Sequence, residues 1–254
     1  MTKRPLAGSD TPIDMRVEAQ PAFVLHARPW RETSLLVEVM TRDYGRIGLL
    51  ARGLRSPKSQ PLRAALQPRQ SLRIDYLLRG ELANLQRAEA LDAPVPLVGD
   101  ASLAAFYVHE LLLRLTPRQD PLPALFELYA RVRDDLASAA SLAWTLRRFE
   151  RDLLEGLGYA LPWHEDSEGR PIETAACYRL DPQQGPIQMR RQSAETLSGA
   201  ALQALVTDAI PAPALLAELR PALRAVLASH LGPTGLRSWG LIQALSQITP
   251  RTQA

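Results

Sequence analysis

The sequence predicts an α+β, multidomain protein in which a five-stranded β-barrel is followed by an all-helical domain. Residues 22–90 consist of short β-rich segments separated by turn residues, without a long helical pattern between them. After residue 97, apolar residues recur at helical spacing instead. The segment DAPVP at 92–96 contains two prolines and separates the two patterns, so it marks the predicted domain junction.

The barrel domain is predicted to span residues 21–93. Strand patterns occupy residues 22–26, 34–41, 46–52, 71–78 and 81–90. Five short strands favour an OB-fold barrel, an architecture that recurrently binds single-stranded nucleic acid, although periodicity also allows an SH3-like barrel. Residues 1–20 mix Pro, Gly, Ser, Thr and charged residues, so we expect a flexible N-terminal tail. The long connection 53–70 contains three prolines, and its length predicts a functional or mobile loop.

The helical domain is predicted over residues 97–254, with an irregular insertion at about 160–192. Helical spacing is found at residues 102–115, 122–136, 141–157, 197–209, 212–231 and 238–248. Gly158 follows the third of these segments and is expected to stop that helix. The insertion is rich in Pro, Gly and acidic residues, which predicts loops and a short hairpin.

The basic residues are concentrated in the predicted barrel. Between residues 21 and 90 there are twelve Lys or Arg against six Asp or Glu, whereas residues 91–254 contain fifteen against eighteen. A basic module attached to a mildly acidic body is typical of a protein that binds a polyanion. An ordinary solvated strand surface has the same composition, so charge alone leaves both interpretations open.

Composition also restricts the compartment and the chemistry. The single Cys177 excludes an intrachain disulfide and a multi-cysteine metal site, and it favours a reducing compartment, which predicts a cytoplasmic protein. No apolar run is long enough for a membrane span, and residues 1–20 lack the apolar core of a secretory signal. We therefore predict no membrane partner, no cofactor and no metal.

We find no pattern that predicts catalysis. Gly-rich phosphate loops are absent from the sequence, and its four histidines have no metal-ligand spacing. The densest group of candidate ligands is His164-Glu165-Asp166, a composition that surface loops also carry by chance. Ser238 has no His or acid at triad-like spacing, although triads assemble in space, so a hydrolase built in the irregular insertion stays a weak alternative. The protein is predicted not to be an enzyme.

The order of motifs along the chain is more specific than its composition. The N-terminal half carries Phe23-Val24-Leu25, Glu32-Thr33-Ser34, Gly45-Arg46, Ala51-Arg52-Gly53 and Leu66-Gln67-Pro68. The C-terminal half carries Glu110-Leu111-Leu112, Leu146-Arg147-Arg148-Phe149-Glu150, Leu157-Gly158-Tyr159 and His230-Leu231-Gly232. This collinear set, from about residue 22 to residue 245, resembles the RecO family of bacterial DNA repair proteins.

The resemblance implies an OB-fold and a function without a catalytic group. Members of this family bind single- and double-stranded DNA, anneal complementary strands and help to load recombinase onto strands coated by single-strand-binding protein, and they work with RecR. Many members also carry a four-cysteine zinc site after the "LGY" helix. Because this chain has only Cys177 there, the insertion is expected to be a degenerate, cysteine-poor relative of that zinc finger, without structural zinc.

The resemblance and the charge pattern together predict two sets of binding residues. The expected DNA-binding residues, each able to neutralise a phosphate, are Arg46, Arg52, Arg55, Lys58, Arg63, Arg69 and Arg73. The residues expected to receive the acidic, hydrophobic C-terminal tail of single-strand-binding protein are Arg147, Arg148, Phe149 and Leu153. An intrachain ion pair between Arg147 and Asp152 or Glu150 is the alternative for that site. A scaffold whose barrel binds protein rather than DNA is the alternative for the whole chain.

Overall fold

The protein is described by a computed structural model covering residues 15–54, 56–93, 95–138 and 141–240. The chain divides into two compact units, residues 1–94 with 117–121, and residues 95–116 with 122–254. Arg55 and most of the helix predicted at 238–248 lie outside the described residues. Within the described residues, no helix is both long and apolar enough to cross a membrane.

The first unit is a closed five-stranded barrel, as predicted. Its strands are β1 (Met15–Trp30), β2 (Ser34–Thr41), β3 (Gly45–Ala51), β4 (Ser71–Arg79) and β5 (Leu82–Ala90). The strand order is β1-β2-β3-β5-β4, and β1 closes the barrel by pairing with both β2 and β4. Only the β3–β5 pairing is parallel, so the arrangement is OB-like.

Period-two alternation builds the barrel core. In β4, Leu72, Ile74 and Tyr76 are fully buried, whereas Arg73 between them faces solvent. Successive side chains of a strand point to opposite faces, so this spacing turns one face inward and leaves the other available to a ligand. The remaining strands fill the same interior with aliphatic side chains, among them Val24, Val37, Val39, Ile47 and Leu49.

The prediction of a tail over residues 1–20 is wrong for its last six residues, because β1 already begins at Met15. Val17 is 4% exposed and lies opposite Tyr76 of β4, so it contributes to the barrel core. The start of this strand is not predicted from the sequence, because charged and polar residues surround Val17. The backbone N–H of Ala19 donates to the Asp75 carboxylate at 2.7 Å, where the register of β1 shifts. Residues 1–14 lie outside the described residues.

The connection at 53–70 is not a plain loop. A 3-10 turn at Pro57–Ser59 is followed by the short helix α1 (Gln60–Ala65), and each begins with a proline in its first positions. Proline is tolerated there because the first N–H groups of a helix have no partner within the helix. Ala65 and the following Leu66 pack against the barrel core, which anchors the segment.

The second unit is mainly helical. Its helices are α2 (Gly99–Leu115), α3 (Pro123–Ala137), α4 (Leu142–Gly156), α5 (Gly199–Thr207) and α6 (Pro213–Leu231). Ser141 caps α4 by accepting a hydrogen bond from the Trp144 N–H at 3.4 Å. The chain leaves α4 through Gly158, whose φ of +82° lies in the left-handed region, as the predicted stop requires.

The insertion contains the predicted hairpin, β6 (Cys177–Asp181) and β7 (Gly185–Met189), with the short strand β8 (Leu197–Ser198) pairing with β6. A turn before it is organised by Asp166, which is 4% exposed. Its carboxylate accepts from the backbone N–H groups of Glu168 (2.9 Å) and Arg170 (3.0 Å) and from Arg170 Nε at 2.8 Å. Burial raises the pKa of Asp166, but these hydrogen bonds outweigh it and the pKa lies below its usual value.

Candidate nucleic-acid interface and peptide pocket

Three predicted DNA-binding residues are exposed along the segment that leaves β3. Arg52 follows the last residue of β3, Lys58 lies in the 3-10 turn, and Arg63 lies in α1. None of the three forms an ion pair with another described residue. Because Leu66 fixes the end of this segment on the barrel core, the charges are carried by an ordered element and remain open to solvent. Such charges suit a phosphate backbone.

Two other predicted residues already have carboxylate partners. Arg46 Nη1 lies 3.0 Å from Glu38 Oε2, and the Arg46 side chain is only 13% exposed. Arg73 Nη1 lies 3.8 Å from Glu89 Oε2, with both side chains about half exposed. An exposed pair of this kind contributes little to stability and opens readily to a stronger anion. Arg73 is therefore better placed than Arg46 to contact a phosphate.

Arg69 occupies a constrained position. Its φ of +75° is left-handed, and its backbone N–H donates to the Val24 carbonyl at 2.7 Å. The side chain is half-buried, so this residue joins the end of the connection to β1 in addition to carrying charge.

Arg118 is a barrel residue that sequence reasoning missed, because it follows α2 in the chain. It belongs to the segment Pro117–Pro121, which clusters with the barrel. Its guanidinium contacts the second oxygen of Glu38, while Gln119 donates from its backbone to the Arg46 carbonyl at 3.0 Å. Glu38 therefore joins two arginines that are 72 positions apart in the chain. No local pattern signals such a contact.

A cavity of about 330 Å³ lies between α3 and α4 in the second unit. Apolar and basic side chains line it together with acids. The lining residues are Leu128, Arg131, Val132, Asp134, Asp135, Thr145, Arg148, Phe149 and Asp152. Of the residues predicted to bind the tail peptide, Arg148 and Phe149 line this cavity, whereas Arg147 and Leu153 do not.

Sequence reasoning missed Arg131, because α3 reads as an ordinary amphipathic helix. Arg131 is exposed and forms no ion pair within the described part of the chain. Arg148, by contrast, lies 2.8 Å from the Asp208 carboxylate and is 37% exposed. The packing of α3 on α4 brings both guanidinium groups to one cavity. That arrangement depends on tertiary structure and cannot be read from either helix alone.

Arg147 points into the protein instead. It is 6% exposed and pairs with the Glu150 carboxylate, which also accepts a hydrogen bond from the Tyr107 hydroxyl at 2.7 Å. Burial raises the pKa of Glu150 above the usual carboxyl value, although Arg147 and Tyr107 oppose the shift. Burial and the neighbouring Glu150 likewise raise the pKa of Tyr107. The three side chains form a buried polar cluster in which Tyr107 and Arg147 both contact Glu150 Oε1, whereas Arg147 Nε and Glu150 Oε2 have no hydrogen-bond partner among the described residues.

These features define a class of protein, a closed OB-like barrel with an exposed basic segment, joined in one chain to a helical domain. Family models agree with this division. The model described as "Recombination protein O N terminal" matches residues 15–94, and the one described as "Recombination protein O C terminal" matches residues 97–240. The chain belongs to the recombination protein O (RecO) family of DNA repair proteins.

Individual relatives lead to the same family. The DNA repair protein RecO of Xanthomonas oryzae pv. oryzae (strain PXO99A) is 52% identical over 238 residues, covering 92% of this chain and 99% of the relative. That of Stenotrophomonas maltophilia (strain K279a) is 54% identical over 243 residues, covering 93% of this chain and all of the relative. A role in DNA repair follows from this similarity.

Proposed function

We propose that the protein is a non-enzymatic recombination mediator that binds single- and double-stranded DNA through its barrel, anneals complementary strands and helps to load recombinase. The observation that carries the proposal is a set of three basic side chains after β3 that form no ion pair with any described residue. Arg52, Lys58 and Arg63 are exposed within 12 residues of chain. Their side chains offer phosphate contacts without first breaking an ion pair.

Annealing needs no catalytic group under this proposal. A basic surface screens the charges of two phosphate backbones, which lowers the barrier to their approach. The same proposal includes two further points. The protein acts together with RecR on strands coated by single-strand-binding protein, and it is located at the cytoplasmic nucleoid. If the purified protein does not accelerate annealing of complementary oligonucleotides at low salt, the annealing step is excluded.

Replacing Arg52, Lys58 and Arg63 together by alanine is expected to weaken DNA binding and its dependence on salt. Each single-strand phosphate contact contributes about 0.7 to the slope of log affinity against log salt, so the slope should fall by about 2. Fluorescence anisotropy of a labelled single-stranded oligonucleotide at several salt concentrations measures both quantities.

The matched control replaces Arg190, Arg191 and Arg237, which are exposed arginines of the second unit, and it removes the same charge. Its slope should stay close to that of the wild type. Equal losses in the two variants would show that net charge alone, rather than the barrel segment, governs binding. If the wild type does not bind the oligonucleotide even at low salt, the protein-scaffold alternative is favoured instead.

We also propose that the α3–α4 cavity receives the C-terminal tail of single-strand-binding protein. Phe149 and the aliphatic lining accept apolar side chains, and Arg131 with Arg148 can pair with a terminal carboxylate. The cavity also contains acids. Two of them are already paired with arginines, Asp134 with Arg133 and Asp152 with Arg151, which reduces their repulsion of an acidic peptide.

Alanine at Arg131 or Arg148 is expected to weaken tail-peptide binding by about ten- to a hundredfold, the range of a hydrogen bond to a charged group. Titration of a labelled tail peptide measures this. The matching peptide with a C-terminal amide should bind the wild type weakly and should be nearly indifferent to either substitution. Affinity that stays unchanged in both variants would exclude this cavity as the tail site.

A further inference from the structure

An exposed aromatic side chain lies at the end of the β1–β2 hairpin. Trp30 is the last residue of β1 and is 38% exposed, more than the other three tryptophans of the chain. The guanidinium carbon of Arg28 lies 5.5 Å from the centroid of the Trp30 ring. Residues two apart on a strand share a face, so this cation and this ring form one surface feature.

Trp30 is not needed to fill the barrel. It is absent from the side chains that build the barrel core, and Ser34, its partner across the hairpin, is too small to cover it. A single exposed aromatic is ordinary on protein surfaces and indicates nothing by itself. Trp30 differs from such a residue because basic side chains surround it.

The hairpin end lies beside the start of the basic segment. The backbone N–H of Leu54 donates to the Thr33 carbonyl at 2.8 Å, so the chain leaving β3 runs along the hairpin turn. Leu35 pairs with Ala51. Continuing that antiparallel register by one residue brings Arg52 opposite Ser34, the partner of Trp30. Arg31, next to the tryptophan, is exposed as well. Arg28, Arg31 and Arg52 therefore surround the hairpin end, with Glu32 as the acid of the turn.

From this arrangement we propose that Trp30 stacks on an unpaired nucleobase while Arg28 supports the indole and Arg52 holds an adjacent phosphate. The inference rests on the proposed DNA-binding function and deepens it by assigning a preference for single strands. Aromatic side chains stack on any base face without reading sequence, and base faces are accessible only where the strand is unpaired. In a duplex the same bases are stacked on each other, so only the phosphate contacts remain.

The test compares two strands that differ only in their bases. A labelled oligothymidylate and an abasic oligomer of equal length carry the same phosphates, and their affinities are measured by anisotropy at low salt. Trp30→Ala should weaken binding of oligothymidylate by about five- to a hundredfold, the range for one base–aromatic stack. It should leave binding of the abasic strand unchanged. Trp30→Phe should retain most of the affinity, and the wild-type tryptophan fluorescence should be quenched by oligothymidylate.

The control is Phe106→Ala, which removes an aromatic side chain that is 45% exposed in the second unit. It should affect neither strand. If Trp30→Ala weakens both strands equally, or weakens neither, base stacking at this residue is overturned while phosphate binding stands. If the wild type binds neither strand, the proposed DNA-binding function itself fails, and the inference falls with it. Thermal unfolding of each variant shows whether the barrel is intact.

Discussion

Replacing Arg147 by alanine is expected to lower the free energy of unfolding by about 3–5 kcal/mol, because it leaves the Glu150 carboxylate buried without its guanidinium partner. Glu150 is 1% exposed and Arg147 is 6% exposed, so the pair is shielded from bulk water in the folded protein. Tyr107 would remain as a hydrogen-bond donor to Glu150 and the charge of Arg220 would still act on it, and both limit the loss. Urea unfolding followed by circular dichroism measures the change.

Two further variants separate burial from charge. Arg148→Ala breaks the neighbouring pair with Asp208, whose side chains are 37% and 44% exposed, and should cost less than about 1 kcal/mol. The double variant Arg147→Met, Glu150→Leu removes both charges and should recover most of the stability lost in the single variant. If Arg147→Ala costs no more than Arg148→Ala, the pair does not behave as a buried one.

This expectation also affects how tail-peptide experiments are interpreted. The resemblance predicts that Arg147 contacts the tail of single-strand-binding protein, and that role stays a prediction. Since removing Arg147 should destabilise the helical domain, a loss of peptide binding in that variant would not identify a contact. Arg131 and Arg148, which reach the cavity, are the variants that test the site.

Replacing Gly45 by alanine is expected to destabilise the barrel by about 2–5 kcal/mol, for two reasons that add. Gly45 has a φ of +66°, which is unfavourable for any residue with a β-carbon. That carbon would also lie 1.9 Å from the Asp120 carbonyl oxygen. Asp120 cannot easily withdraw, because Gln119 beside it is hydrogen-bonded to the carbonyls of Arg46 (3.0 Å) and Gly80 (2.9 Å).

Gly80→Ala is the matched control. Gly80 has nearly the same φ, +68°, but nothing lies within 4 Å of the added carbon. Its cost should be limited to the backbone conformation, about 1–2 kcal/mol. Thermal or urea unfolding of both variants isolates the steric part as the difference. Equal costs would mean that the segment Pro117–Pro121 moves aside freely.

Local sequence patterns predict the barrel and the helical domain, but they do not predict the contacts between elements that are distant in the chain. The alternation of Leu72, Ile74 and Tyr76 predicts a half-buried strand because burial is decided within the strand itself. The start of β1 was missed, since Val17 sits among charged and polar residues, and only its pairing with β4 reveals that it is buried. Helix α1 was missed for the related reason that Pro57 and Pro61, which open helices, also occur in loops.

The candidate site residues divide in the same way. The exposed Arg52, Lys58 and Arg63 could be predicted from the resemblance and from the basic composition of their segment, because neither requires knowledge of how the helices pack. The arrival of Arg131 at the cavity depends on how α3 packs on α4, which neither helix encodes by itself, whereas Arg147 and Glu150 pair within α4. Of the two intrachain partners that the sequence offered Arg147, Asp152 and Glu150, the structure pairs it with Glu150, three residues away on the same helix.

The turn at Asp166 has a consequence for the conditions under which the insertion folds. Both halves of its ion pair, the Asp166 carboxylate and the Arg170 guanidinium, come from the polypeptide, so we expect the turn to form without a bound metal ion. Chelators and zinc starvation should leave it intact. Acid should open it instead, because a carboxyl group with a lowered pKa adds stability that is present above its unfolded pKa and is lost as the pH falls through its folded pKa.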